Sequence, residues 1–345
     1  MGNTRKTVYN NICSPEKLAQ VNPENIQLGN DFLEYLTSID RAKTTVDSYR
    51  ADLNVFWVWC FEHNQNKFFV DLTKREIAKF QNWCLNEWKW SPARMRRVKS
   101  TLSSLSNYIE NMLDDEYDFR PIIRKIENPA ATPVREKTVL TDEQIEKILD
   151  TLVEKKRYDA ACMFALGVYS GRRKSELPRM KVSYFTEENI MYGSLYKTPE
   201  KVKTKGRGSR GKLVNVYVLV KPFKPYLDLW LKYREENNIT SEWLIPKRDN
   251  GIWVDEPTPI TTMDSWADMF SNILGIPVYW HSTRHRFATA LSEANVPDSV
   301  IQDIIGWESA DMCRLYIDTE ADVKFAQYFG EDGIKQVEQK SLNDL

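Results

Sequence analysis

The chain has 345 residues, 42% of them hydrophobic, with 48 Lys and Arg against 49 Asp and Glu. That length suits two packed domains, and no apolar run is long enough to span a bilayer. Five scattered cysteines without a CxxC pair argue against a disulfide framework or a zinc site, and a net charge of −1 gives no bulk signal for nucleic acid. A reducing cytoplasm is the expected compartment, the polar start from Met1 to Lys6 lacks a signal core, and no cofactor or metal is called for.

Residues 1–27 read as a loosely structured lead-in. From Leu28 apolar residues recur at helical spacing through Phe32, Leu33 and Leu36, then Val46, Tyr49, Leu53, Phe56 and Trp57. Thr73 with Glu76 has the capping-box offset, and Ser91-Pro92 opens a further helix carrying Met95, Val98, Leu102, Leu105 and Tyr108 on one face. A helical domain is therefore expected over residues 28–128. Asn128-Pro129-Ala130-Ala131-Thr132-Pro133 suits an extended linker, placed at 129–138. A second domain, 139–345, opens with a helix after Thr141-Asp142-Glu143-Gln144. Val214, Val216 and Val218 alternate with Asn215, Tyr217 and Leu219 and predict a strand, and the helical period returns from Trp266 onward. The fold class expected is mainly α with a small antiparallel sheet.

Basic residues cluster although the net charge is near zero. Arg94, Arg96, Arg97 and Lys99 share one predicted helix, and Lys43, Thr44 and Arg50 mark the start of another. Such heads can follow phosphates, or they can simply form solvated helix faces. Lys201, Lys203, Lys205, Arg207, Arg210 and Lys212 crowd one predicted hairpin. So much like charge repels itself until an anion neutralises it, which points to a polyanion.

Cutting a DNA strand without a metal needs a nucleophile for phosphorus, cationic donors for the non-bridging oxygens and an acid for the leaving oxygen. Arginine suits the second role through its planar, permanently charged fork. Arg173 and Glu176, in Ser170-Gly171-Arg172-Arg173-Lys174-Ser175-Glu176-Leu177, are three apart, so a carboxylate can orient a guanidinium. His281 and Arg284 have the same spacing at a helix entry. Gly306-Trp307 and then Arg314-Leu315-Tyr316 follow.

In this order the motifs resemble the tyrosine recombinases, or lambda-type integrases, over roughly residues 28–330. The resemblance implies a helical core-binding domain and an α+β catalytic domain that clamp DNA, in the two-domain layout of Cre and the Xer recombinases, with no arm-binding domain ahead of residue 28. It implies that Tyr316 attacks the scissile phosphate, giving a 3′-phosphotyrosyl link and a free 5′-hydroxyl. Arg173 and Arg284 would hold the phosphate, His281 would assist proton transfer or position the phosphate, Trp307 would donate and pack, Glu176 would support the site and a hairpin lysine would protonate the leaving oxygen. The covalent link conserves the bond energy, so neither metal nor ATP is needed. Arg172 stands where the family has an apolar residue and stays an alternative to Arg173. Lys203 fits the Lys-Thr context, Lys205 is a second choice for the acid and Lys201 a third. The apolar residues of 320–345 would form a helix docking on a neighbouring subunit in a tetramer on two paired sites. Competing readings are a type IB topoisomerase or telomere resolvase of the same chemistry, and a catalytically silent DNA-binding protein on this scaffold.

Overall fold

A computed structural model of the chain describes residues 5–130, 139–204 and 212–307, with the backbone of 329–330 and 333–334. The described residues divide into two compact units, one ending before residue 137 and one beginning after it. The fold is mainly α with small antiparallel sheets. Among the described residues no helix is long and apolar enough to cross a membrane.

The first unit runs through α1 (Arg5–Ile12), α2 (Pro15–Leu18), α3 (Pro23–Ser38), α4 (Lys43–His63), α5 (Lys74–Asn86) and α6 (Pro92–Met112). The described part of the expected lead-in 1–27, from residue 5 on, is thus helical. Ser14 and Asn22 cap helices that begin with proline, and Cys13 and Val21 are buried. Helices this short show too few apolar repeats to register as periodic. Thr73 and Glu76 form the expected capping box, with Thr73 N donating to Glu76 Oε2 at 2.8 Å and Glu76 N donating to Thr73 Oγ1 at 3.3 Å. The core joins Phe32, Leu36, Leu53, Phe56 and Trp57 to the buried face of α6. Phe56 meets Phe80 edge-on at 4.7 Å between centroids, a favoured aromatic geometry.

The second unit opens with α7 (Asp142–Glu154), capped by a Thr141–Gln144 box. Next comes α8 (Tyr158–Ser170), buried on nearly every side, so its apolar run shows no single polar face. The chain continues through β1 (Ile190–Met191), β2 (Leu195–Lys197), β3 (Val202–Thr204), β4 (Lys212–Val214) and β5 (Tyr217–Leu219), then α9 (Val220–Glu236). The strand expected across 214–218 is two strands. β5 joins an antiparallel sheet of order β1-β2-β5, whereas β4 pairs with β3 in a separate ribbon. Thr198 makes the break: its Oγ1 accepts from Val216 N at 3.0 Å and its carbonyl accepts from Asn215 Nδ2 at 2.9 Å. A hairpin of β6 (Pro246–Asp249) and β7 (Ile252–Pro257), then α10 (Ile260–Leu274), α11 (Trp280–Glu293) and α12 (Asp298–Ile305), complete the unit.

Two strands, β8 (Phe329–Gly330) and β9 (Gly333–Ile334), pair antiparallel. At these positions the expected C-terminal docking helix of about 320–345 is corrected to strand. Gly330 and Gly333 are poor helix formers, and the apolar residues alone did not reveal this. The rest of 308–345, with Tyr316, lies outside the described residues, as do most of the linker and Lys205, Arg207 and Arg210.

Candidate active site

The site is built where α8 stops. Gly171 caps α8 in the left-handed region at φ +60°, a conformation that costs any residue with a Cβ. Its neighbour matters as much. A Cβ at Gly171 would stand 2.5 Å from Phe287 Cδ1, so this glycine lets the α8 turn lie directly on α11. The carbonyl of Gly171 then accepts from Arg284 Nη1 at 2.8 Å. Arg284 is wholly buried, and its guanidinium carbon lies 5.5 Å from the centroid of the Trp307 ring, within cation–π range.

Arg172 and Arg173 diverge after the turn. Arg173 Nη1 pairs with Glu176 Oε1 at 3.1 Å and its backbone N donates to Glu176 Oε2 at 3.2 Å. The pair sits on a turn rather than on a helix start, closed by Glu176 N donating to Arg173 O at 2.8 Å. Glu176 is 1% exposed, so it is a buried carboxylate holding a partly exposed guanidinium. Arg172 is also 1% exposed, and its Nη2 donates to Ile304 O at the end of α12. Burial first, and the charge of Arg173 after it, bring its pKa down to about 10 against the opposing pull of Glu176.

His281 and His285 lie one turn apart on α11 with ring centroids 5.2 Å apart and planes at 83°. His281 is exposed as a whole residue, yet protein packed around its ring strips enough water to lower its pKa. His285, Arg284 and Arg173 add to this, in that order, and the value falls to about 4. The imidazole is therefore neutral at pH 7, disfavoured as a cation by burial and by the positive charge of the neighbouring arginines. Trp307 is buried with Phe287, Ala288, Ile301 and Ile305 in a small cluster of its own.

Lys203 is exposed on β3, opposite Leu213 of β4, and Arg179 Nη1 braces the strand by donating to Lys203 O at 2.7 Å. Lys201, just ahead of β3, is exposed as well. The ribbon abuts the end of α12, since a Cβ at Gly306 would lie 3.7 Å from Val214 Cγ1. Sequence reading missed three contributors: the Gly171 carbonyl, His285 and Arg179. A carbonyl has no residue-type signature, but His285 and Arg179 sit within or beside the motifs already singled out.

In the first unit the basic residues of α6 are largely engaged by protein. Asp52 is wholly buried; its Oδ1 pairs with Arg94 at 3.3 Å and accepts from Arg97, and its Oδ2 accepts from Thr101 Oγ1 at 3.1 Å. Arg96 donates from Nε and Nη2 to Pro129 O at 2.9 and 2.6 Å. Lys99 is corrected outright as a phosphate contact. It is 4% exposed and its ammonium donates to Ile126 O at 2.7 Å and Glu127 O at 3.0 Å, so it closes the end of the unit. Lys43, Thr44 and Arg50 are exposed on α4, and Arg50 Nη1 donates to Asn30 Oδ1 at 3.3 Å. Asp52→Ala should destabilise the first unit by about 2–3 kcal/mol in urea unfolding. That lies below the full cost of breaking a buried pair, because both guanidinium partners reach solvent.

Residues 138–322 match the phage integrase family, and residues 28–118 match the SAM-like N-terminal domain of phage integrases. The chain belongs to the phage integrase family. It is 28% identical over 283 residues to the SPbeta prophage-derived recombinase-like protein YomM of Bacillus subtilis, covering 79% of this chain and 80% of that protein. It is 25% identical over 296 residues to the tyrosine recombinase XerA of Pyrococcus horikoshii, covering 85% and 89%. Its fold is that of a lambda integrase dimer bound to a COC′ core site (TM-score 0.63, 19% identity, 85% of this chain and 76% of that one). It is likewise that of XerH bound to a palindromic difH substrate (TM-score 0.62, 19% identity, 82% and 78%). In this phage integrase, Arg173, Glu176, Lys203, His281, Arg284, Trp307 and Tyr316 all fall inside the matched catalytic segment.

Proposed function

We propose that this phage integrase is a tyrosine-type site-specific recombinase that breaks and rejoins double-stranded DNA with these residues. The observation carrying the residue assignment is that both guanidiniums are anchored by protein at the α8 turn, Arg173 on Glu176 and Arg284 on the Gly171 carbonyl. Anchored forks lose little freedom when they take a phosphate.

In the proposed reaction the phenol oxygen of Tyr316 attacks phosphorus as its proton passes to the neutral His281 imidazole. The bond from phosphorus to the 5′ oxygen breaks, leaving a 3′-phosphotyrosyl link, and Lys203 gives the departing oxygen its proton. Arg173 and Arg284 take the charge on the non-bridging oxygens, and Trp307 packs beneath Arg284. Attack by a 5′-hydroxyl reverses the step and restores the tyrosine. Arg284 is wholly buried, so DNA binding must open a path to its guanidinium. Lys43, Thr44, Arg50, Arg94, Arg97 and Lys201 are the described candidates for backbone contacts, with Lys205, Arg207 and Arg210 completing the basic hairpin in sequence. Two paired sites and a tetramer held through the C-terminal segment complete the proposal, acting on cytoplasmic DNA.

Trapping tests it. A pool of nicked duplexes of randomised sequence, incubated with protein and denatured, should yield a covalent adduct on a definable core, and Tyr316→Phe should yield none. An adduct that survives Tyr316→Phe reassigns the nucleophile, and no adduct from wild type favours the silent DNA-binding reading.

His281 makes a second test. A phosphate beside it stabilises the imidazolium, so binding takes up a proton once the pH falls toward the window that opens above about 4. The sign is fixed: affinity should rise as pH drops from 7 toward 5, by at most about tenfold per pH unit for one proton. Anisotropy titrations at constant salt should show this slope, and His281→Gln should flatten it.

A further inference from the structure

Arg172 occupies a slot where an apolar side chain would be cheaper to bury. Its Nε has no hydrogen-bond partner among the described residues, and an incompletely satisfied guanidinium in the interior carries a real desolvation cost. Something in the native arrangement must offset it.

The contacts on either side of Arg172 form a closed circuit. The Gly171 carbonyl holds Arg284, and Arg284 lies over Trp307. Trp307 follows Gly306, the left-handed cap of α12 at φ +74°, and both backbone N–H groups return to Gln302 O at 2.8 and 3.0 Å. Ile304 O, one of the helix-end carbonyls that α12 itself cannot satisfy, accepts from Arg172 Nη2. The peptide bond from Arg172 to Gly171 closes the ring. A cation at a helix C-terminus is also favoured by the helix dipole.

We infer that Arg172 is a positioning residue that pins the end of α12, and with it Trp307, against Arg284, and that it does not itself hold the phosphate. The inference rests on the proposed recombinase reading for its effect on rate, but not for its effect on structure. Tyr316 lies nine residues past Trp307 in sequence, so the same pin fixes the last described residue ahead of the nucleophile. Arg173 is then the phosphate ligand of the pair, and the two adjacent arginines have separate tasks.

The experiment uses the full chain and two variants. Arg172→Met keeps the side-chain length and removes the donors; Arg172→Lys keeps the charge and loses the fork. Hydrogen exchange without DNA should show the Gly306 and Trp307 amides losing protection by about tenfold or more in Arg172→Met, with α7 unchanged. On the nicked duplex recovered by trapping, the single-turnover cleavage constant at saturating DNA should fall by about 10²-fold, the cost of a small misplacement, with dissociation constants within about twofold of wild type. A neutral methylphosphonate at the scissile position should partly restore Arg173→Ala, which has lost a charge partner for the phosphate, and should not restore Arg172→Met. Restoration of Arg172→Met, or unchanged protection at Gly306 and Trp307, overturns the inference. If Arg172→Met does not fold, Arg172→Lys carries the same comparison. Should wild type itself form no adduct, the recombinase reading fails while the exchange result still decides the structural pin.

Discussion

Arg284→Ala is expected to reduce DNA cleavage by about 10³-fold in single-turnover trapping while leaving DNA affinity within a few fold. Removing one preorganised donor from a developing oxyanion costs that much where water is excluded, and Arg284 is wholly buried. Affinity is spared because many phosphate contacts share the binding energy. Arg284→Lys should fare little better. A lysine ammonium cannot both donate to the Gly171 carbonyl, as Arg284 Nη1 does at 2.8 Å, and present a flat fork to a phosphate while stacked on Trp307. Thermal unfolding of both variants checks that the unit stays folded at the assay temperature. A loss below about tenfold in either would remove Arg284 from the chemistry.

That expectation starts from a spacing visible in the sequence, and the same holds for much of the site. His-x-x-Arg and Arg-x-x-Glu each place two side chains together locally, and the structure pairs Arg173 with Glu176 as spacing alone suggests. The capping box at Thr73 was legible for the same reason, its partner lying three residues away, and the helix start at Thr141 was legible although its box with Gln144 was not singled out. What the sequence hid was set by contacts between distant segments. Lys99 looks like its basic neighbours until the carbonyls of Ile126 and Glu127 are seen to take its ammonium. Asp52 is one acid among many until three side chains of α6 turn toward it. The division of Arg172 from Arg173 depends on the end of α12, more than 130 residues on, where Ile304 O waits for one and not the other. The β6–β7 hairpin is a different case. Asn250-Gly251, both at positive φ, is a strong turn signal, but the charged residues Lys247, Arg248 and Asp249 before it break the apolar alternation that marks a strand.

Gly171→Ala is expected to destabilise the second unit by about 3–4 kcal/mol and to abolish cleavage at temperatures where wild type is active. Two costs add. A non-glycine residue held in the left-handed region loses about 1–2 kcal/mol, and Gly171 sits at φ +60°. The new Cβ would also stand 2.5 Å from Phe287 Cδ1 and 3.2 Å from Phe287 Cβ, and overpacking of this kind costs about 1–3 kcal/mol. Phe287→Leu keeps Cβ and Cγ but replaces the rigid ring by two Cδ methyls that can rotate away, so the double variant should recover only the part of the loss due to the 2.5 Å contact with Cδ1. The dihedral cost and the contacts with Cγ at 3.1 Å and Cβ at 3.2 Å should remain. Urea unfolding of wild type, both single variants and the double variant forms the cycle, and a coupling energy of about 1 kcal/mol or more marks the contact. The functional consequence follows from the same geometry. To relieve the clash α11 must move away from the α8 turn, which lengthens the bond from Arg284 Nη1 to the Gly171 carbonyl and lifts the guanidinium from Trp307. Phe287→Leu in the Gly171→Ala background should therefore restore part of the stability and part of the cleavage together. Stability restored without cleavage would mean that Gly171 serves the fold alone and that Arg284 finds its place by other contacts.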